Sequence, residues 1–366
     1  MLKALQEQPW AIDELDGTGF CPIHHAVVEG NLEALDLLIK AKANVNQHCY
    51  DKRTPLMLSA RARRERETAR LLESEECRKN VDYNALSGFS ALHYALEKSS
   101  PAIVRMLLES GATVKSQRVS ILQAFSYSAK GSQDAADEVL HALLMHGADL
   151  EEKDDLGYTP AMVAAQFNNI LAFHSLVSAG ASLTAINSRN HNILHMAAFA
   201  PDVEMINYFR KQNLARVEPE QRDIHDRNPL HILYKAWNLP IWKTGRRFPL
   251  IRPAAMRAFI TFYLDLLIPV FRQHLSTIDN LLRAVKDRDV STATEMLNQL
   301  IERKVRCNQT GLVGWYRGLK GYVVDGGRDY LEDVLKDEYD ETNEKIERAS
   351  VTRDKAINDP EMKEFF

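Results

Sequence analysis

The sequence predicts an all-α protein, a solenoid of stacked helix-turn-helix repeats followed by a helical C-terminal extension. Three observations carry that expectation. A four-residue signature recurs seven times at near-constant spacing, most copies open with a residue suited to start a helix, and each is followed by apolar residues at helical intervals.

The copies are Cys21-Pro22-Ile23-His24, Thr54-Pro55-Leu56-Met57, Ser90-Ala91-Leu92-His93, Ser120-Ile121-Leu122-Gln123, Thr159-Pro160-Ala161-Met162, Asn192-Ile193-Leu194-His195 and Asn228-Pro229-Leu230-His231. Successive copies are 33, 36, 30, 39, 33 and 36 residues apart. A small or apolar residue follows two positions on: Ala26, Ser59, Ala95, Phe125, Ala164, Ala197 and Leu233. Ser, Thr or Asn in first place can cap a helix, because its side-chain oxygen accepts from an otherwise unpaired backbone N–H. Proline next suits the first turn, where its missing donor costs nothing. Glycine after the second helix, as at Gly111, Gly147 and Gly180, permits the left-handed turn that ends it. One such unit cannot bury its apolar face alone, so stability has to come from stacking. Ala26, Ala95, Ala164 and Ala197 are therefore expected at buried helix–helix contacts.

On these residues the chain resembles the ankyrin-repeat family, whose signature is T-P-L-H-x-A at a 33-residue period. The resemblance covers residues 16–236 and implies an ankyrin-repeat solenoid whose exposed turns and concave face hold a protein partner. It also implies that His24, His93, His195 and His231 are structural, bonding backbone groups between neighbouring repeats. Two repeats depart from the pattern. The first has Cys21 for the capping hydroxyl and Lys42 for glycine. The fourth keeps only Ser120 and Leu122 and carries extra residues at Lys130-Gly131-Ser132, expected as a lengthened loop.

Four segments follow from this reading: the repeat domain (1–236), a basic aromatic connecting segment and helix (237–276), a helical extension similar to a degenerate repeat (277–335), and an acidic tail (336–366). Residues 227–264 hold seven Lys or Arg and no Asp or Glu, with Trp237, Trp242 and Phe248 interleaved. That segment is read first as an irregular wrap, and second as a polyanion-binding surface centred on Arg246, Arg247 and Arg252. The run Phe259–Phe271 contains Asp265 and Pro269 and falls short of the roughly 20 apolar residues of a membrane span, so a buried or amphipathic helix is expected. Gly311, Gly314, Gly318, Gly321, Gly326 and Gly327 read as a glycine-punctuated loop leading to a helix at Tyr330–Leu335, since no phosphate-loop motif can be written there. The last 35 residues carry twelve acidic and six basic side chains, which reads as a solvated helix or frayed tail. This ending on divergent repeats resembles effectors secreted by intracellular bacteria, in which the tail is an export signal.

Chemistry is sparse. The chain has 366 residues, a formal net charge of −4, 45% hydrophobic and 26% charged residues, values ordinary for a soluble protein. Cys21, Cys49, Cys77 and Cys307 form no C-x-x-C pair, so free thiols, a reducing compartment and a cytoplasmic location are expected; for an effector this is the host cytosol. Residues 1–9 have no apolar core of signal-peptide length. No metal, cofactor or nucleotide motif appears. Cys21 beside His24 is placed by the repeat, and Cys307, His274 and Asp325 could meet only by accident of folding. An enzyme tethered to the repeats within residues 237–366 stays open as the alternative to a monomeric scaffold, adaptor or effector; nucleic acid and anionic lipid are lesser candidates as partners.

The residue just before each signature supplies the candidate binding row: Phe20, Arg53, Phe89, Val119, Tyr158, His191 and Arg227. Aromatic and arginine side chains are enriched at binding hot spots. Phe89 and Tyr158 flank the fourth repeat, and truncating both is expected to weaken binding while barely changing stability. Asn46, with Leu38 eight residues upstream, is similar to the target of the asparagine hydroxylase that modifies ankyrin repeats.

Overall fold

A computed structural model describes residues 9–114, 120–237, 253–325 and 328–358. The described residues contain helices and no strand, and the chain divides into two compact units, residues 1–164 with 169–182 and residues 165–168 with 183–366.

The first unit begins with a 3-10 turn at Pro9–Asp13 and then sets short helices in pairs. These are α1 (Pro22–Glu29) and α2 (Leu32–Lys40), α3 (Pro55–Arg61) and α4 (Glu65–Leu72), with a further turn, α5 (Glu75–Lys79). Next come α6 (Ala91–Glu97) and α7 (Pro101–Glu109), α8 (Ile121–Ser128) and α9 (Gln133–Met145), α10 (Pro160–Gln166) and α11 (Ile170–Ser178). The caps form as the signature requires: Thr54 accepts from the Met57 N–H and Ser120 from the Gln123 N–H. Asn31 and Asn169 cap the second helices α2 and α11 in the same way. The register alanines are buried, with Ala26 at 4%, Ala95 and Ala164 at 0% and Ala197 at 1% exposure. One expectation needs correction. The extra residues of the fourth repeat lengthen α9 to 13 residues rather than making a long loop, because Ser132 caps a new first turn by accepting from the Ala135 N–H.

The second unit continues the pairs with α12 (Ile193–Phe199), α13 (Val203–Phe209) and α14 (Pro229–Trp237), then changes character. Its remaining helices are long: α15 (Pro253–Lys286), α16 (Val290–Arg306), α17 (Thr310–Asp325) and α18 (Arg328–Asn358). The run Phe259–Phe271 lies inside α15, which packs along α18. By length and composition α15 could cross a membrane, yet half of its most apolar window is buried inside the unit. Ile278, Leu281, Leu297, Tyr316 and Leu335 meet in one core drawn from all four helices.

Here the glycine reading is overturned. Residues 310–325 are helix, and the helix expected at Tyr330–Leu335 runs from Arg328 to Asn358. Val313, Tyr316 and Leu319 are buried at helical spacing, and that burial outweighs glycine's weak helix propensity, about 1 kcal/mol per residue. Gly311, Gly314 and Gly318 lie on the open side, where an added Cβ would touch nothing. A buried ionic clamp fixes the loop before α14. Glu220 accepts from Arg303 at 2.7 Å and from Lys304 at 3.4 Å, and a lysine only 4% exposed needs such a partner.

Candidate functional site: the turn edge of the first unit

Among the described residues, six of the signatures are preceded by a tight turn closed from within. The carbonyl of the candidate-row residue accepts from the N–H four positions earlier: Phe20 from Asp16, Arg53 from Cys49, Phe89 from Ala85 and Tyr158 from Asp154, at 2.8–3.1 Å. In the outer two of these turns an aspartate adds a scaffold. Asp16 Oδ1 accepts from the Thr18 and Phe20 N–H groups, and Asp154 Oδ1 from those of Leu156 and Tyr158. Asn187 and Asp223 do the same in the second unit. Cys49 and Ala85 occupy that position in the second and third repeats, and neither side chain can serve as such an acceptor. Just before the row residue the backbone turns left-handed, at φ 81° for Gly19 and Gly88 but also 55° for Lys52, a side chain that adopts this region at a cost.

The candidate row proves to be a set of lids. Phe20 packs on His24 with ring centroids 5.6 Å apart, and Phe89 stacks on His93 at 5.2 Å with its edge against Tyr94. Phe20, Arg53, Phe89 and Tyr158 are all half-buried. His191 is corrected outright. It is 1% exposed, stacks on His195 at 5.1 Å and bonds Asp223 at 3.2 Å, so it belongs to the core of the second unit. Arg227 is spent on the same carboxylate at 2.6 Å. Val119, Arg246, Arg247 and Arg252 lie outside the described residues, as do residues 359–366 of the acidic tail. Asn46 is half-buried and donates its amide to the Glu76 carbonyl at 2.9 Å.

Two of the signature histidines, His24 and His195, bond between repeats as expected, whereas His231 is exposed and bonds Asn228 of its own cap. In His24 and His195 the Nδ1 accepts from the N–H of the capping residue, at 3.1 and 3.2 Å. The Nε2 then bonds a carbonyl of the following repeat, Gln47 or Arg227. Burial holds the His24 pKa down to about 4 and that of His195 to about 3, so both rings are neutral near pH 7. Burial also pushes the Cys77 and Cys307 thiols up to about 12, the opposite of what a nucleophile needs. Cys307 approaches Glu218, while His274 bonds Glu338 and Tyr316 inside the helical core, so Cys307 and His274 do not meet.

What the row lacks in exposure the turn tips supply. Tyr50 is 65% exposed, Leu86 62% and Leu156 50%. The Tyr50 ring lies against the backbone of Gly19, where a Cβ would sit 2.3 Å from it, and the Leu86 N–H donates to the Asp51 carbonyl at 3.1 Å, tying the second and third turns together. Between those turns lies a cleft of about 380 Å³ lined by Asp51, Arg53, Arg61, Leu86, Phe89 and Tyr94. It joins two candidate-row residues, Arg53 and Phe89, to seven that the sequence pattern did not single out, Ala85, Ser87 and Glu97 among them. Arg53 pairs with Asp51, and its Nε is buried without a hydrogen-bond partner.

A repeat stack presenting apolar turn tips over half-buried rings is the architecture of a recognition module, and the family comparison agrees. The model of ankyrin repeats matches in three copies, over residues 1–84, 23–118 and 125–223, and the chain belongs to that family. Ankyrin repeats are in general protein–protein interaction modules. Among curated proteins the chain is similar to ankyrin repeat protein nuc-2 of Neurospora crassa, 26% identical over 215 residues, 58% of this chain and 20% of that protein. It is also similar to human ankyrin repeat and SOCS box protein 3, 26% identical over 201 residues, 46% of this chain and 32% of that protein. The chain thus spans between a fifth and a third of the length of these relatives. Among solved structures, the human ASB11 ankyrin repeat domain aligns with a TM-score of 0.49 at 23% identity, covering 59% of this chain and 96% of that one.

Proposed function

We propose that the protein is a non-enzymatic adaptor or scaffold that grips a protein partner along the turn edge of its first unit. The observation that carries this reading is the pairing of exposed apolar tips, Tyr50 and Leu86, with the cleft between the second and third turns. Isolated apolar residues are ordinary on surfaces; neighbouring ones beside a cleft mark interaction sites. The aromatic floor and the arginine beneath that rim are residue types enriched at binding hot spots. The four cysteines are free and buried, which supports a reducing, cytoplasmic setting.

A photo-crosslinking amino acid at position 86, with a second at Glu73 on an exposed position of the same unit, tests the site in cells. A discrete adduct from position 86 alone, identified by mass spectrometry and then bound in purified form, supports the proposal. Equal labelling from both positions, or a purified partner whose affinity is indifferent to Leu86→Ala, refutes it.

A further inference from the structure

We propose that the C-terminal half of α18 is an acid-sensitive strap, held along α15 by a buried contact of His274, Tyr316 and Glu338 and released when His274 takes a second proton. The two halves of α18 are attached differently. Leu331 and Leu335 enter the core shared with α15, α16 and α17. Beyond them the buried residues are Thr342, Ile346, Ala349 and Ala356, one stripe at intervals of four, three and seven. Ile346 is the one large apolar side chain in that stripe, so the strap forfeits little burial when it lifts. Segments with few buried apolar contacts are the ones that open locally while the rest of the fold stays closed. The joints of this half to the bundle are polar instead.

The first joint is a triangle. His274 Nε2 donates to Glu338 Oε1 at 3.1 Å, the Tyr316 hydroxyl donates to the same oxygen at 3.1 Å, and the ring nitrogen and the phenol lie 3.3 Å apart. The His274 and Glu338 side chains are only 4% and 10% exposed. The second joint is half-buried: Arg353 Nε donates to Asp265 Oδ1 at 2.5 Å, while the other oxygen of Asp265 holds Arg210. The weak point of the triangle is His274 Nδ1, which is buried and has no hydrogen-bond partner among the described residues. Buried polar atoms are normally paired, so this one calls for an explanation. With the Nε2 proton committed to Glu338, a second proton has to go on Nδ1, where nothing accepts from it.

The surroundings set the sign of the response. Burial pushes the His274 pKa below its usual value and Lys304 of α16 adds to this, whereas Glu338 of α18 and Glu220 of the loop before α14 oppose it. Lys304 and its neighbour Arg303 are both paired with Glu220. On α18, Lys345 lies near Glu338, and burial keeps the Tyr316 phenol of α17 neutral. The closed ring is therefore neutral near pH 7. Once the strap lifts, the ring meets water and regains a pKa of about 6.5. The closed state is complete above that value and loses ground as pH falls below it. Burial raises the Glu338 pKa, but the bonds from His274 and Tyr316 hold it below the usual value, so this carboxylate stays charged from pH 7 to pH 5 and adds nothing to the change. Over that interval the opening equilibrium shifts by up to about 25-fold.

Hydrogen exchange of the full chain, read by mass spectrometry at pH 7 and pH 5 and corrected for the intrinsic pH dependence of exchange, tests this. The protection of residues 342–358 is expected to fall by about tenfold or more at pH 5, while residues 316–323 of α17 keep theirs. His274→Gln, which retains a donor for Glu338 and cannot take the proton, should lose the difference between the two pH values. Arg353→Ala removes the other joint, so it should lower protection at both values and leave their ratio unchanged. If His274→Gln does not fold, Glu338→Gln serves. The charge that favours the imidazolium is then gone, and the drop at pH 5 should at least equal that of the wild type. Equal protection of residues 342–358 at both pH values, an undiminished drop in His274→Gln, or a smaller drop in Glu338→Gln than in the wild type would each overturn the strap. So would a loss of protection that extends to residues 316–323, which is unfolding of the helical bundle as a whole.

Discussion

Replacing Phe89 and Leu86 separately by alanine should separate the two functions of the turn edge. Phe89 is half-buried, so truncation forfeits about half of the roughly 1.5–3 kcal/mol that burying such a side chain provides. It also removes a ring stacked on His93 at 5.2 Å with an interplanar angle of 7°, a pairing worth about 0.5–1.5 kcal/mol. The sum is about 2 kcal/mol, or a melting shift of about 4–8 °C for a unit of this size. Leu86, 62% exposed and bonded only through its backbone to Asp51, should cost less than about 0.5 kcal/mol. Urea denaturation of each variant, followed by helical circular dichroism, reads the first difference; calorimetric affinity for the partner crosslinked at position 86 reads the second. Leu86→Ala should lose at least about tenfold in affinity with an unchanged midpoint, whereas Phe89→Ala should lose both. An unmoved midpoint for Phe89→Ala would refute its role as a lid on the signature histidine. A large loss of stability for Leu86→Ala would mean that the tip is part of the fold.

Stability should also fall on acidification, because the His24 and His195 rings are buried neutral with folded pKa values of about 4 and 3. An unfolded histidine near 6.5 takes a proton first, so this stability is complete above pH ~6.5 and declines below it, by about 2 kcal/mol for His24 at pH 5; a urea midpoint equal at pH 7 and pH 5 would contradict it. Gly314→Ala and Gly318→Ala in α17 should each stabilise by about 0.5–1 kcal/mol, since the new Cβ meets nothing, and a lowered midpoint would mean that something covers this face. Finally, the four buried thiols should resist a disulfide reagent in the native protein and all react in urea; rapid labelling of Cys77 or Cys307 would contradict the burial that raises them.

The repeats were legible because each local cue agreed with the next. Thr54 and Ser120 cap, Pro55 starts, Ala95 and Ala197 leave room for a neighbour, and His24 and His195 reach the following turn; every one of these follows from residue type at fixed spacing. The extension was harder to read. Gly311, Gly314 and Gly318 argue for a loop by propensity, and only the burial of Val313, Tyr316 and Leu319 among partners distant in sequence makes them helical. Tertiary contact overrode a local preference that the sequence displayed correctly. His191 failed for a related reason: its position in the turn is that of Phe89, but Asp223, one repeat later, draws the ring inward.

Position by position, the family's turn is built on an Asp or Asn that accepts from two backbone donors, as Asp16, Asp154, Asn187 and Asp223 do. Cys49 and Ala85 depart from that rule, the fourth repeat has no Asp or Asn at the matching Lys115 either, and the cleft lies between the turns at Cys49 and Ala85. Without a scaffolding Asp or Asn, the second turn keeps the bond from the Lys52 N–H to the Cys49 carbonyl, Asp51 pairs with Arg53, and an exposed leucine occupies the tip of the third. A sequence gives up a stabilising local choice where another use competes for the position. The loss of Asx at 49 and 85, beside an exposed leucine, was the signal in the sequence for the proposed binding edge, because aromatic rings at the row position serve equally well as lids.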